Sequence, residues 1–196
     1  MANKLTQVNE MIAASNEAIT TPMTISPEVV KMLIERIGDE YTAHYFYRNA
    51  ANWCKEKAYF RAAAFFEAEA ESELTHAKKV QDYLVDWNAL PIIPPVKMIP
   101  QFSNLIDIVN KAYELEYGLF VKYNENSAAV FPADLATFDF LQELRIIQRT
   151  SVAEYSDLLN AAMLVNVSNN FEVLYFEQTY FPEVGSVSYT HLRAHE

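Results

Sequence analysis

Between Asn88 and Phe102 the chain reads NALPIIPPVKMIPQF, with prolines at 91, 94, 95 and 100. Proline lacks a backbone N–H and clashes with the preceding turn, so this stretch cannot be helical. It is long for a connection between helices and suits a crossover running the length of the molecule, which would make the helices on either side parallel neighbours. The other prolines, Pro22, Pro27, Pro132 and Pro182, leave long proline-free segments between them. Ser26 before Pro27 is an N-cap with proline at the first helical position. From Glu28 to Leu90 the chain is too long for one ordinary helix, and a break is expected near Lys55 to Ala58. Two further helices are predicted over about 103–128 and 133–164, and the apolar segment Phe171 to Phe181 forms a short fifth.

The composition agrees with this reading. The chain has 196 residues, 51% of them hydrophobic, 21% charged and only 3 glycine. That fits a single all-α domain and excludes a disordered or glycine-rich β chain. Four long helices with one long crossover make a bundle. Lys plus Arg number 15 against 26 Asp plus Glu, and the net charge of −11 argues against a nucleic-acid partner while favouring a soluble protein that attracts cations. No apolar run reaches the roughly 18 residues of a membrane span. Cys54 is the single cysteine, which excludes an intramolecular disulfide, and it reads as a small buried hydrophobe rather than a nucleophile.

Residues 1–26 are read as an N-terminal extension without secretory features, so a cytoplasmic protein is expected. Leu5, Val8, Ile12 and Ile19 fall near a helical stripe, as either a short amphipathic helix or a frayed terminus. At the other end, residues 182–196 form a tail in which VSYTHLRAHE, Val187 to Glu196, resembles translated sequencing adapter. This stretch is read as non-native, and His191 and His195 are set aside as ligands.

Stripes at the helical period mark the bundle core. The first helix offers Val30, Leu33, Ile37, Glu40, His44, Tyr47, Ala51 and Cys54, and the second Phe66, Glu69, Glu73, His76, Val80 and Leu84. The third offers Leu105, Val109, Ala112, Glu116, Leu119 and Tyr123, with Glu114 facing out. Leu141, Leu144, Gln148, Val152 and Tyr155 complete the fourth. Each helix thus carries Glu, Gln or His where an apolar residue is expected. Burying a carboxylate costs several kcal/mol by rough estimate unless it is paired or binds a cation. Glu73-x-x-His76 places a carboxylate and an imidazole on adjacent turns of one face, and Glu40 and Glu116 add one acid from each of two other helices. Hard oxygen ligands with one imidazole suit iron or manganese better than structural zinc. An isolated Glu-x-x-His is often an ordinary exposed pair; the coincidence on four helices favours a metal.

With these residues in place, the chain from about Pro27 to Phe181 resembles a bacterial non-haem ferritin. The resemblance is carried by Glu40 in DEYTAHYFY, Glu73 and His76 in ESELTHAKK, Glu116 in ELEYG, Gln148 in FDFLQELRIIQ, and VLYFEQTYF in the fifth helix. It implies a ferritin-like bundle, 27–181, with a diiron ferroxidase centre. Glu40, Glu73 and His76 would hold the first iron, Glu73 would bridge, and Glu116 with Gln148 nearby would complete the second. Tyr47 matches the family's tyrosine beside the centre, with a redox or hydrogen-bonding role. The implied function is Fe(II) oxidation by O2 or H2O2 and storage as ferric oxyhydroxide in a homo-oligomeric, 24-subunit cage, without haem.

Some positions depart from the family. Acids of a third iron site match Ser72, Ile147, Thr150 and Ser151, and acids of the threefold channel match Phe138 and Leu141, so neither feature is expected here. Glu69 and His44 share the stripes without a strong family counterpart and are read as satisfied by hydrogen bonds. Two alternatives stay open. One is a rubrerythrin-like diiron oxidase or peroxidase that forms no cage, against which Gln148-x-x-Ser151 stands where a second Glu-x-x-His would be needed. The other is a metal-free bundle whose acids are satisfied by Arg145, Tyr41 and Tyr123.

Overall fold

Four of the five described helices start through local side-chain chemistry. A computed structural model describes residues 24–96 and 101–183. Helix α1, Pro27–Glu56, opens where Ser26 Oγ accepts from the Val29 N–H at 3.2 Å and Pro27 takes a position whose N–H would have no partner. The predicted break lies at Lys57 to Tyr59, with Ala58 at φ 63, and the chain turns straight into α2, Phe60–Asp86. Asn88, at φ 59, ends α2 in the left-handed region that asparagine tolerates. Helix α3, Leu105–Val130, starts two residues after the expected position because Asn104 Oδ1 accepts from the Asp107 N–H at 2.8 Å. Asp134 likewise caps α4, Leu135–Ala162, through the Thr137 N–H at 2.9 Å. Asn169 caps α5, Asn170–Tyr180.

Prolines keep the described part of the crossover, 89–96, free of regular structure. It packs across α1 at Gly38, where an added Cβ would lie 2.6 Å from Pro94 Cγ. Only glycine admits so close an approach.

Antiparallel pairs α1–α2 and α3–α4 form the bulk of the bundle, and α1 also packs on α3. Tyr83 of α2 stacks on Phe140 of α4 at 4.0 Å and shares a hydrogen bond with Thr137, while Lys79 pairs with Glu143 at 2.5 Å. The neighbours of α2 are therefore α1 and α4. Helices α2 and α3 run parallel, as the crossover requires, but occupy opposite corners; the expectation that they are neighbours is corrected. The four-helix bundle with one long crossover and a short fifth helix stands as predicted.

Leu33, Ile37, Phe66, Val80, Leu84, Leu105, Val109, Leu141 and Leu144 form the apolar core. Each such burial stabilises by roughly 1.5–3 kcal/mol. The third helix's predicted stripe is buried throughout, whereas Val30, His44, Glu69, His76 and Val152 are half-buried. On α1 the buried face is broader than one stripe, because Ala43, Phe46 and Ala50 are also covered. Helix α5 docks by Glu177, fully buried, whose Oε1 accepts from the Arg61 and Ala62 N–H groups at 2.7 and 3.2 Å. These are first-turn donors of α2 with no partner inside the helix. Phe181, just past α5, packs edge-on against Phe65 and Phe66. The N-terminal segment, including Leu5 to Ile19, and the adapter-like stretch lie outside the described residues.

Candidate metal centre

Five of the six predicted site residues point into the middle of the bundle within the same layer. Glu40 comes from α1, Glu73 and His76 from α2, Glu116 from α3 and Gln148 from α4. The three carboxylates and the amide are at most 3% exposed. One ligand atom from each of Glu40, Glu73 and His76 lies within 4.8 Å of the others. His76 Nδ1 is 3.2 Å from Glu73 Oε2 and 3.8 Å from Glu40 Oε2. The i,i+3 spacing on α2 places the imidazole directly over the Glu73 carboxylate.

Across the bundle axis, Glu116 accepts from the Tyr47 hydroxyl at Oε1 and from the Gln148 amide at Oε2. The Gln148 amide also reaches the Glu116 backbone carbonyl at 3.1 Å. Tyr123 donates to Glu40 Oε1, while Glu40 Oε2 is buried without a hydrogen-bond partner among the described residues. A buried carboxylate oxygen left this way is costly unless a proton or a cation meets it.

Electrostatics point the same way. Burial, and then the neighbouring Glu73, raise the Glu40 carboxyl well above its ordinary range. Burial and the Glu116 charge do the same to Glu73. Glu116 is pushed up to about 7 by burial, with the Tyr47 and Gln148 hydrogen bonds pulling against that rise. Burial and crowding thus favour the protonated form of these carboxyls in the metal-free protein, and a divalent cation could take the place of the protons. Three carboxylates, one imidazole and an amide oxygen match a hard or borderline cation such as iron or manganese.

A family profile described as a ferritin-like domain matches residues 30–164. The chain belongs to the ferritin family. It is 30% identical over 154 residues to the bacterial non-heme ferritin of Escherichia coli O6:H1, covering 78% of this chain and 92% of that protein. To the bacterial non-heme ferritin of Campylobacter jejuni it is 32% identical over 150 residues, covering 74% and 89%. Solved structures share the fold. The Chlorobium tepidum ferritin superposes with a TM-score of 0.70 at 24% identity, covering 79% of this chain and 94% of that one. For an open pore ferritin from Archaeoglobus fulgidus the TM-score is 0.75 at 20% identity, covering 80% and 98%.

In this ferritin-family chain the departing positions behave as ordinary helix surface and core. Thr150 and Ser151 hydroxyls bond back to the Ile146 and Ile147 carbonyls at 3.2 and 3.5 Å, and Ser72 is exposed. Phe138 packs on Phe131, with the Arg145 guanidinium 5.4 Å from its ring, and Leu141 is core. Tyr41 meets Gln81 rather than a carboxylate, so of the three groups considered for satisfying the acids only Tyr123 does so.

Tyr47, the sixth site residue, is fully buried between Phe66 and Tyr155. Burial and the Glu116 charge raise its phenol well above 10. His44 Nδ1 lies 2.6 Å from the Ala70 carbonyl, a core hydrogen bond as expected. Glu69 takes the Tyr155 hydroxyl at 3.3 Å, and burial with the Glu116 and Glu154 charges pushes its carboxyl up to about 8. Tyr123, named from sequence among the groups that could satisfy an acid, does so at Glu40, whereas the role of Tyr155 was not evident from sequence. Its signal was a tyrosine in a stripe where leucine or phenylalanine would fill the same space.

Proposed function

We propose that this chain stores iron: it binds Fe(II) at Glu40, Glu73, His76, Glu116 and Gln148, oxidises it, and holds the ferric product as oxyhydroxide mineral inside a homo-oligomeric cage. The observation that carries the proposal is the convergence of Glu40, Glu73 and His76 within 4.8 Å, with the Glu40 Oε2 atom buried and without a hydrogen-bond partner among the described residues. Family membership and the names of the bacterial non-heme ferritin relatives support it.

Iron is the substrate in this reading. Two Fe(II) each give up one electron, and O2 takes both with two protons to become H2O2. Glu40 and His76 hold the first ion, Glu73 lies between the two, and Glu116 with Gln148 holds the second. Bringing two cations together needs negative charge between them, which Glu73 supplies once deprotonated. Gln148 contributes its carbonyl oxygen after its terminal amide turns over, giving up its two hydrogen bonds to Glu116 in exchange for the cation. Tyr47 stays as donor to Glu116 and keeps that carboxylate from swinging. The acidic net charge of −11 raises the local concentration of Fe(II).

A 24-subunit assembly is part of the proposal. Phe171 and Tyr175 of α5 are 75% and 63% exposed, Met163 and Leu164 just past α4 are 74% and 85% exposed, and so much apolar surface calls for burial between subunits. Cytoplasmic residence also belongs to the reading; no described helix is long and apolar enough to cross a membrane. A non-storage diiron oxidase is disfavoured by Ser151, which bonds its own helix where a second imidazole would be needed.

The test is aerobic Fe(II) oxidation followed optically, comparing the parent with Glu73→Ala and with buffer, together with imaging of the assembled particle. Fast oxidation that collapses in the variant, on a closed shell, is the expected result. Oxidation no faster than buffer would overturn the catalytic part, and a small oligomer would overturn the cage.

A further inference from the structure

Four residues, one from each helix of the bundle, are joined by successive contacts that end at the Glu116 side of the centre. Glu69 of α2 accepts from the Tyr155 hydroxyl of α4 at 3.3 Å. The Tyr155 ring stacks on Tyr47 of α1, centroids 5.9 Å apart and planes 19° from parallel. Tyr47 donates to Glu116 Oε1 of α3. Tyr47 also stacks on Phe66 at 6.1 Å and 13°, so the ring lies in a slot lined by two aromatic slabs.

We propose that Tyr155 and Glu69 are positioning residues for the second metal position. The inference rests on reading Glu116 as a ligand there. Phe66 alone leaves the Tyr47 ring free to tilt away from it. Tyr155 adds a second wall, and its own ring is fixed at the far end by Glu69. With the slot closed, the Tyr47 hydroxyl stays on Glu116 Oε1, which commits Oε2 to the cation once the Gln148 amide turns. Tyr155 and Glu69 thus act on the metal through Tyr47, in the way outer partners set the orientation of a ligand.

The slot predicts a graded series. Tyr155→Leu removes the slab, Tyr155→Phe keeps the slab and loses the anchor, Glu69→Leu removes the anchor's acceptor, and Glu69→Gln retains an acceptor oxygen. Two readouts apply to the full chain. In the metal-free protein, tyrosine labelled with 13C at Cζ gives a Tyr47 resonance assigned by its loss in Tyr47→Phe. That resonance should be sharp in the parent and in Glu69→Gln, and shifted or broadened in Tyr155→Leu. Under anaerobic conditions, Co(II) titrated as an optical probe should show the second equivalent weakened about tenfold in Tyr155→Leu and about threefold in Tyr155→Phe and Glu69→Leu, the first equivalent staying within about twofold. A general loss of packing would weaken both equivalents together.

An unchanged Tyr47 resonance in Tyr155→Leu overturns the inference, as does parallel weakening of the two equivalents. If the parent takes up no Co(II), the metal reading of the centre fails instead, while the Tyr47 resonance still decides whether the slot positions that ring.

Discussion

Tyr47 of α1 and Glu116 of α3, 69 residues apart in sequence, meet in the middle of the bundle, the phenol donating to a carboxylate oxygen that has no access to water. Removing the hydroxyl in Tyr47→Phe leaves Glu116 Oε1 without its donor while keeping the ring in its slot. A buried acceptor left unsatisfied costs roughly 1–3 kcal/mol, so a denaturant melt of the metal-free protein should show a loss in that range. Loss of less than the scatter of the fit would mean that the bond contributes nothing net.

Crowded carboxyls give the metal-free protein a definite pH response. Glu116 sits near 7 and Glu69 near 8, while burial and the Glu73 charge raise Glu40, and burial and the Glu116 charge raise Glu73, well above the ordinary range. In the unfolded chain such groups titrate near their ordinary value of 4.5. The folded state therefore binds more protons than the unfolded state between these limits, and stability falls as pH rises through the window. Thermal melts of the metal-free protein should be highest near pH 5 and decline toward pH 8. A melting temperature that climbed over that range would contradict the burial of these acids in protonated form.

Relief of the same crowding predicts an exchange of function for stability. Glu73→Gln removes one charge from between Glu40 and Glu116 with little change in volume. The metal-free variant should melt higher than the parent at pH 8, while its Fe(II) oxidation drops by at least about tenfold, because the group between the two cation positions no longer carries charge. Calorimetry and the optical assay on one preparation check both halves.

Helix α5 is tied to the bundle through Glu177. Glu177→Ala deprives the Arg61 and Ala62 N–H groups of their acceptor, and caps of this kind contribute roughly 0.5–2 kcal/mol. Hydrogen exchange should show faster opening at the start of α2 and across α5, with Glu177→Gln close to the parent because one carbonyl oxygen remains. Protection unchanged in the alanine variant would show that Phe176 and Phe181 alone seat the helix.

At Gly38 two effects of opposite sign compete. Alanine gains about 1 kcal/mol of helix propensity. Its Cβ, however, would lie 2.6 Å from Pro94 Cγ, and the proline ring cannot move without its backbone. Overpacking of this kind costs roughly 1–3 kcal/mol, so Gly38→Ala should lower the midpoint of unfolding. A raised midpoint would show that the crossover shifts freely.

Much of this was open to a reader of the chain. Ser26, Asn104 and Asp134 start their helices through hydrogen bonds to residues three positions on, and that information is entirely local. The prolines from Pro91 onward forbid a helix on their own. Periodicity brought Glu40, Glu73, Glu116 and Gln148 to inward faces, and burial of all four agrees with that reading. Periodicity was weaker where a helix is covered on more than one side: the single stripe drawn for α1 missed Ala43, Phe46 and Ala50.

Local sequence determined where the helices start and stop, which faces turn inward, and that acids and an imidazole would be buried together. The tertiary structure decided that α2 and α3 stand at opposite corners, which oxygens of Glu40 and Glu116 are engaged, that Tyr155 closes a slot around Tyr47, and that Glu177 caps a helix 115 residues away. The reason is the range of the interactions. Backbone hydrogen bonds, caps and proline sterics act within a few residues, so they can be read along the chain. The rotation and register of one helix against another are set by packing among side chains from all of them at once, and no single segment contains that information.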